Sequence, residues 1–147
     1  HKPSNSASAE EFEKENINVD QAYIGACVGG KLNDLHMVAK VLEGKNVSSK
    51  TRLLVAPSSK KIMAQAASDG TLETITKAGG IILPSGCGAC AGLGAGVIAE
   101  KEVCISSTNR NFQGRMGSKD SFVYLASPYT VAASAVAGKI IDPRELI

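Results

Sequence analysis

Short apolar runs alternate with amphipathic segments along most of the chain. Apolar runs of strand length occur at residues 22–27, 52–57, 81–83, 103–106 and 122–126. After the first run, apolar residues repeat at helical spacing from Leu32 to Leu42, and Gly44 ends that pattern. Strands that alternate with helices are typical of βαβ units. We therefore predict an α/β fold of three layers, in which a mainly parallel sheet has helices on both faces.

Capping residues mark the other predicted helices. Ser58 is the expected N-cap of a helix that carries apolar positions from Ile62 to Ala67. A further helix is expected to begin at Thr71, after a break at Asp69-Gly70. Ser127-Pro128 should open the last helix, because proline is favoured in the first turn.

The N-terminal segment differs from the rest in composition. Residues 1–20 are rich in Ser, Glu, Asn and Lys and have little apolar periodicity. We interpret this segment as a polar linker or arm with a short charged helical turn at residues 9–15. Residues 21–147 form the predicted folded domain, which is long enough for a substantial core.

Composition narrows the function classes. The formal charge of +2 and an aromatic content of 4% do not favour a nucleic-acid partner. An apolar run approaching the roughly 20 residues of a membrane span is not found, so we expect no membrane partner. Four cysteines in a chain of this size and pattern do not indicate a secreted disulfide scaffold. We expect a cytoplasmic protein with metal or redox chemistry.

Two cysteines lie in a glycine-rich C-x-x-C, Cys87 to Cys90, just after the third apolar run. Cys27 follows the first run in a similar glycine-rich setting. Such thiols can form a redox pair, part of a zinc site, or ligands of an iron–sulfur cluster. Zinc would need a fourth ligand, but Cys104 is expected to be a buried thiol within a strand and His36 lies inside a helix.

A polar loop after the fourth apolar run contains Arg110 and Arg115. Guanidinium groups bind carboxylates in a bidentate manner, although surface arginines are an equally reasonable interpretation. The carboxyl ends of parallel strands gather at one edge of a sheet, where ligand sites form. The cysteine loops and this arginine loop all follow strands, so we expect them to meet at that edge.

Three segments resemble motifs of the aconitase superfamily, and they occur in its order. Residues 24–35 resemble its first cysteine motif, I-G-S-C-T-N-G-R-x-x-D-L. Residues 86–90 resemble its second cysteine motif, and residues 107–117 resemble its T-S-N-R-N-F-x-G-R-x-G stretch. Within the superfamily, the motifs are most similar to those of the large subunits of 3-isopropylmalate and 2,3-dimethylmalate dehydratases, in their third domain.

The resemblance implies a cofactor, a substrate site and a reaction. Cys27, Cys87 and Cys90 would ligate a [4Fe-4S] cluster, which we expect to be lost in aerobic preparations. Asn109, Arg110 and Arg115 would line the substrate site. The reaction would be the reversible dehydration of a 2-hydroxy dicarboxylic acid in leucine biosynthesis or a related pathway. The alternative is a non-catalytic module that binds RNA or a metal.

The resemblance also implies partners. It covers one domain, so the remaining large-subunit domains and a small subunit or swivelling domain that carries a serine base would be needed. Because the chain begins at His1 rather than Met, we expect a piece of a longer protein that is inactive alone. The first motif departs from the family in reading Ala-Cys-Val-Gly-Gly-Lys at residues 26–31, which removes hydrogen-bonding side chains near the cluster.

Overall fold

A parallel sheet of five short strands forms the centre of the structure, a computed structural model that describes residues 2–147. The strands are β1 Gln21–Ile24, β2 Arg52–Val55, β3 Ile81–Ile82, β4 Val103–Ser106 and β5 Phe122–Leu125. Their order across the sheet is β3-β2-β1-β4-β5, and each pairing between neighbours is parallel. The predicted α/β architecture with a mainly parallel sheet is confirmed.

Five α-helices and three short 3-10 helices accompany the sheet in residues 2–147. The α-helices are α1 Ala9–Lys14, α2 Leu32–Leu42, α3 Lys60–Ser68, α4 Thr71–Lys77 and α5 Pro128–Ala137. The 3-10 helices are Pro3–Asn5, Gly88–Ala91 and Pro143–Glu145. We call the second of these, Gly88–Ala91, the cysteine turn, because it follows Cys87 directly and contains Cys90.

Serine hydroxyls cap three of the α-helices, α1, α3 and α5. Thr130 donates its backbone N–H to Ser127 Oγ at 3.2 Å, which confirms the predicted start of α5. The predicted cap of α3 is wrong by one residue, since Ile62 donates its N–H to Ser59 Oγ at 3.1 Å. The neighbouring Ser58 is held elsewhere, because its N–H donates to the carbonyl of Gly30 at 2.9 Å.

Alternate residues of the strands face two separate cores. Ala22 and Ile24 of β1 point into the larger core, whereas Tyr23 between them points into the smaller one. The larger core also holds the buried faces of α2, α3, α4 and α5. The smaller core is closed by residues of the cysteine turn and by Ile98 and Met116. The second face of the sheet is therefore covered by a 3-10 turn and loops.

Strand order explains this difference between the faces. The chain runs from β1 to β2 to β3 in one direction, then returns past β1 to place β4 on its other side. Right-handed crossovers that run in opposite directions along a sheet lie on opposite faces. Helices α2, α3 and α4 lie in the connections from β1 to β2 and from β2 to β3. The connection from β3 to β4 covers the other face and contains no α-helix. The third layer expected from the sequence is present, but the cysteine turn and its loops form it.

The N-terminal segment packs against the sheet domain. The charged helical turn predicted at residues 9–15 is helix α1, and Ser8 and Glu11 form its capping box. The ring of Phe12 meets Tyr124 edge-on, with 5.5 Å between ring centroids. Val19 is 2% exposed and donates its N–H to the carbonyl of Gly138 at 3.0 Å. The domain boundary at residue 20 stays a prediction.

Among residues 2–147, every helix is too short or too polar to cross a bilayer.

Candidate functional site

The loops that carry the predicted site residues leave the same edge of the sheet. Strands β1 and β4 are neighbours from which the chain continues in opposite directions, so their carboxyl ends form a topological switch point. Cys27 follows β1, and Asn109, Arg110 and Arg115 follow β4. The cysteine turn follows β3, which is separated from β4 by the two strands β2 and β1. This edge is where open parallel sheets bind ligands.

Ser107 joins the first cysteine loop to the arginine loop. Its backbone N–H donates to the carbonyl of Tyr23 at 3.0 Å, and its hydroxyl donates to the carbonyl of Gly29 at 3.0 Å. The same hydroxyl accepts the N–H of Gly25 at 3.2 Å. A Cβ added at Gly29 would lie 2.0 Å from the carbonyl oxygen of Ser107, so a side chain at that position has no space. The glycine that replaces the asparagine of the family motif at position 29 thus allows the two loops to pack closely.

The cysteine turn contacts the arginine loop directly. Arg115 donates from Nη2 to Sγ of Cys90 at 3.8 Å. A Cβ added at Gly92 would lie 2.8 Å from the carbonyl oxygen of Arg115, which shows how closely the two backbones approach. The guanidinium of Arg115 also lies 5.2 Å from the ring centroid of Phe112, within the range of a cation–π contact. The sequence prediction that these loops meet is confirmed for Arg115 and Cys90.

Three buried polar atoms beside these loops have no hydrogen-bond partner among the described residues. They are Tyr23 Oη, Ser85 Oγ and Arg115 Nε. Buried polar groups are nearly always hydrogen-bonded, because desolvation without a partner is costly. All three atoms carry a hydrogen that can be donated. An acceptor-rich group bound between the loops would therefore match the side chains that surround it.

Two side chains of the smaller core, Tyr23 and Cys104, have raised pKa values. Burial, together with negative charge at Cys90 and Cys104, raises the pKa of Tyr23 to about 12, while the backbone N–H of Cys90 opposes the shift. That N–H lies near Tyr23 Oη without making a hydrogen bond to it. Burial also raises the pKa of Cys104 to about 12. Cys104 is 0% exposed, which confirms the predicted buried core thiol.

The remaining predicted residues are placed as follows. Cys27 and Cys87 are exposed and Cys90 is buried, and all are free thiols. Asn109 and Arg110 are exposed at the start of the loop after β4. Within residues 2–147, three or more His, Cys, Asp or Glu side chains are not gathered closely enough to hold a metal ion. Joint ligation by the three cysteines, and the substrate roles of Asn109, Arg110 and Arg115, stay predictions.

His36 lies apart from this edge. Its Nε2 lies 2.7 Å from Oδ2 of Asp69, and both side chains are partly exposed. Hydrogen bonds from the hydroxyl of Thr71 and from His36 lower the pKa of Asp69 to about 2. His36 therefore links α2 to the end of α3, a structural role.

Two residues of the site were missed by the sequence interpretation. Tyr23 was counted only as part of an apolar strand, although the alternation along β1 places it on the face opposite Ala22 and Ile24. Ser107 was included in a motif but given no role. The signal for Tyr23 was available, since a phenol within a buried strand needs a hydrogen-bond partner.

The chain belongs to the aconitase family. The family model described as "Aconitase family (aconitate hydratase)" matches residues 2–138. The match includes the N-terminal segment and both cysteine motifs.

Among individual proteins, the chain is similar to large subunits of 3-isopropylmalate dehydratase. It is 48% identical over 144 residues to "3-isopropylmalate dehydratase large subunit" of Campylobacter curvus, which is 98% of this chain and 34% of that protein. It is 48% identical over 139 residues to "3-isopropylmalate dehydratase large subunit 2" of Archaeoglobus fulgidus, 95% of this chain and 33% of that protein. It is 49% identical over 132 residues to "3-isopropylmalate dehydratase large subunit 1" of Methanopyrus kandleri, which is 90% of this chain and 32% of that protein. The chain thus spans about a third of the length of the curated relatives it matches.

Proposed function

We propose that this chain is the cluster-bearing part of an aconitase-type hydro-lyase that acts on a 2-hydroxy dicarboxylic acid such as isopropylmalate. Cys27, Cys87 and Cys90 hold a [4Fe-4S] cluster at the carboxyl edge of the sheet. Asn109, Arg110 and Arg115 bind the substrate. The reaction is the reversible removal and addition of water.

The contact between Arg115 and Cys90 carries this proposal. Nη2 of Arg115 lies 3.8 Å from Cys90 Sγ, so one side chain can touch a cluster ligand and a neighbouring carboxylate. Its Nε is buried without a partner in the described residues and has a hydrogen to donate. The family match and the similarity to 3-isopropylmalate dehydratase large subunits support the same assignment.

The donor set at this edge fits an iron–sulfur cluster. The three predicted ligands are free thiols, and iron–sulfur clusters are held by cysteine thiolates. The buried donors beside the cysteine turn have no acceptor within the described chain, and the sulfur atoms of a cluster would be acceptors for them. When bound, such a cluster supplies one iron without a cysteine ligand, a Lewis acid for the substrate hydroxyl. The arginine forks bind and orient the substrate carboxylates.

The chain does not complete catalysis alone in this proposal. The remaining domains of the large subunit enclose the edge, and a small subunit or swivelling domain supplies the serine base. The length of the relatives supports such additional parts, since the chain spans about a third of each. A reducing, cytoplasmic location fits four free thiols.

Anaerobic reconstitution with iron and sulfide tests the proposal. We expect cluster absorbance and iron uptake that are lost in Cys27→Ser, Cys87→Ser and Cys90→Ser. Cys104→Ala is the matched control and should retain both, because Cys104 is a core thiol. Stoichiometric zinc uptake without iron, or iron uptake unchanged in Cys87→Ser, would overturn the proposal.

A further inference from the structure

We propose that Tyr23 is a positioning residue for the iron–sulfur group: its hydroxyl donates a hydrogen bond to the sulfur of Cys90 or to an adjacent sulfide. This inference rests on the proposed function and deepens it. Neither the family match nor the names of the relatives assign a role to this tyrosine.

The ring of Tyr23 lies between the loops that form the site. A Cβ added at Gly25 would lie 3.2 Å from Cε1, and one added at Gly96 would lie 3.6 Å from Cε2. A Cβ added at Gly88 would lie 3.8 Å from the hydroxyl oxygen. The hydroxyl therefore reaches the first residue of the cysteine turn, two positions before Cys90.

The hydroxyl of Tyr23 is buried without a hydrogen-bond partner in the described chain. Tyr23 is 0% exposed, and its oxygen makes no hydrogen bond to any of residues 2–147. A phenylalanine would fill the same core without burying an unpaired polar group. Tyr23 and Cys90 pack in the same smaller core, so a sulfur acceptor at Cys90 lies on the side of the sheet that the phenol faces.

Arg115 approaches the same sulfur. It donates from Nη2 to Cys90 Sγ at 3.8 Å and comes from the loop after β4, whereas Tyr23 comes from β1. Outer hydrogen bonds of this kind orient ligands and tune metal sites. Hydrogen bonds to cluster sulfurs stabilise the reduced, more negative state and raise the reduction potential. Loss of the Tyr23 hydroxyl should therefore lower the potential.

The experiment compares the reconstituted wild-type chain with Tyr23→Phe. We expect the ratio of reduced to oxidised cluster at a fixed potential to fall about tenfold, which is a shift of about 59 mV for one electron. Tyr124→Phe is the matched control, because it removes the same atom from a tyrosine that packs on Phe12 in the other core. Its ratio should equal that of the wild type.

A second measurement compares the spectra of the reduced cluster, which report protons coupled to it, between the wild-type chain and Tyr23→Phe. The wild type should show one strongly coupled proton that exchanges in deuterium oxide and is missing in Tyr23→Phe, beside any from Arg115, which donates to the same sulfur in both chains. If Tyr23→Phe does not fold, Arg115→Met takes its place: the tyrosine's proton should remain in that variant, and its absence would overturn the inference. Equal potentials in the wild type and Tyr23→Phe would also overturn it. Failure of the wild type to take up iron would instead overturn the proposed function, and this inference with it.

Discussion

Replacing Tyr23 with phenylalanine should stabilise the metal-free chain. The substitution keeps the ring, which packs between the loops near Gly25, Gly88 and Gly96. It removes only a hydroxyl that is buried and has no hydrogen-bond partner among the described residues. The tyrosine is thus expected to cost stability when no cluster is bound.

The magnitude follows from the desolvation of that hydroxyl. An unsatisfied buried polar group costs about 1–3 kcal/mol. The small void left by the missing oxygen offsets part of the gain, because its lining loses dispersion contacts. We expect a net increase of about 1 kcal/mol in the free energy of unfolding. For a chain of 147 residues this raises Tm by about 3–5 °C.

The assay is urea unfolding of the reduced, chelator-treated chain, followed by circular dichroism. The midpoint should move to higher urea while the slope m stays the same, because the surface exposed on unfolding is unchanged. Tyr124→Phe is the control and should stay within about 0.5 kcal/mol of the wild type. A Tyr23→Phe variant less stable than the wild type by 1 kcal/mol or more would refute the reasoning, since the hydroxyl would then have a partner inside the metal-free fold.

Three further predictions follow from other contacts. Gly29→Ala should lower the free energy of unfolding by about 2 kcal/mol or more, measured in urea, because its Cβ would meet the carbonyl oxygen of Ser107 at 2.0 Å; wild-type stability would contradict this. The pKa of Asp69 is lowered from 3.8 to about 2, so its contribution to the free energy of unfolding should be lost as the pH falls from 3.8 to about 2. Asp69→Asn should therefore reduce the pH dependence of the free energy of unfolding in this range, and an unchanged pH dependence would contradict the hydrogen bonds assigned to Asp69. Cys104 should resist alkylation at pH 8 while Cys27 reacts, as mass spectrometry of the native chain can show, because burial raises the pKa of Cys104 to about 12; equal labelling would be inconsistent with a buried thiol.

The strands were predictable because their residues are apolar and are bounded by glycine or polar turns. β4 has the predicted bounds, Val103–Ser106, whereas β3 ends at Ile82, one residue before the predicted end. Leu83 still donates its N–H to the carbonyl of Val55 at 2.8 Å, so the backbone continues to pair with β2 one residue beyond the assigned end of β3. Strand–helix alternation was enough to predict a parallel sheet.

Features that depend on contacts between distant segments were not predictable. The choice of Ser59 over Ser58 as the cap of α3 is decided by a bond from Ser58 to Gly30, in the loop after β1. The covering of the second face by the cysteine turn depends on strand order, which local periodicity does not contain.

The candidate site divides in the same way. Convergence of the strand-end loops was predictable from parallel topology, and the contact between Arg115 and Cys90 confirms it. The sequence indicates that a phenol in a buried strand needs a partner, but it does not show that the hydroxyl of Tyr23 finds none among the described residues. Exposed positions such as Asn109 and Arg110 acquire their roles only with a ligand, so those roles stay predictions.

The central claim is that Cys27, Cys87 and Cys90 hold one cluster whose remaining iron meets the substrate beside Arg115. Mössbauer spectroscopy of the anaerobically reconstituted chain, with and without 2-isopropylmalate, tests it most directly. We expect four irons per chain, one of which changes its spectrum when the hydroxy acid is added, and a weaker response in Arg115→Lys. A spectrum in which the irons are all equivalent and indifferent to the hydroxy acid would contradict the account.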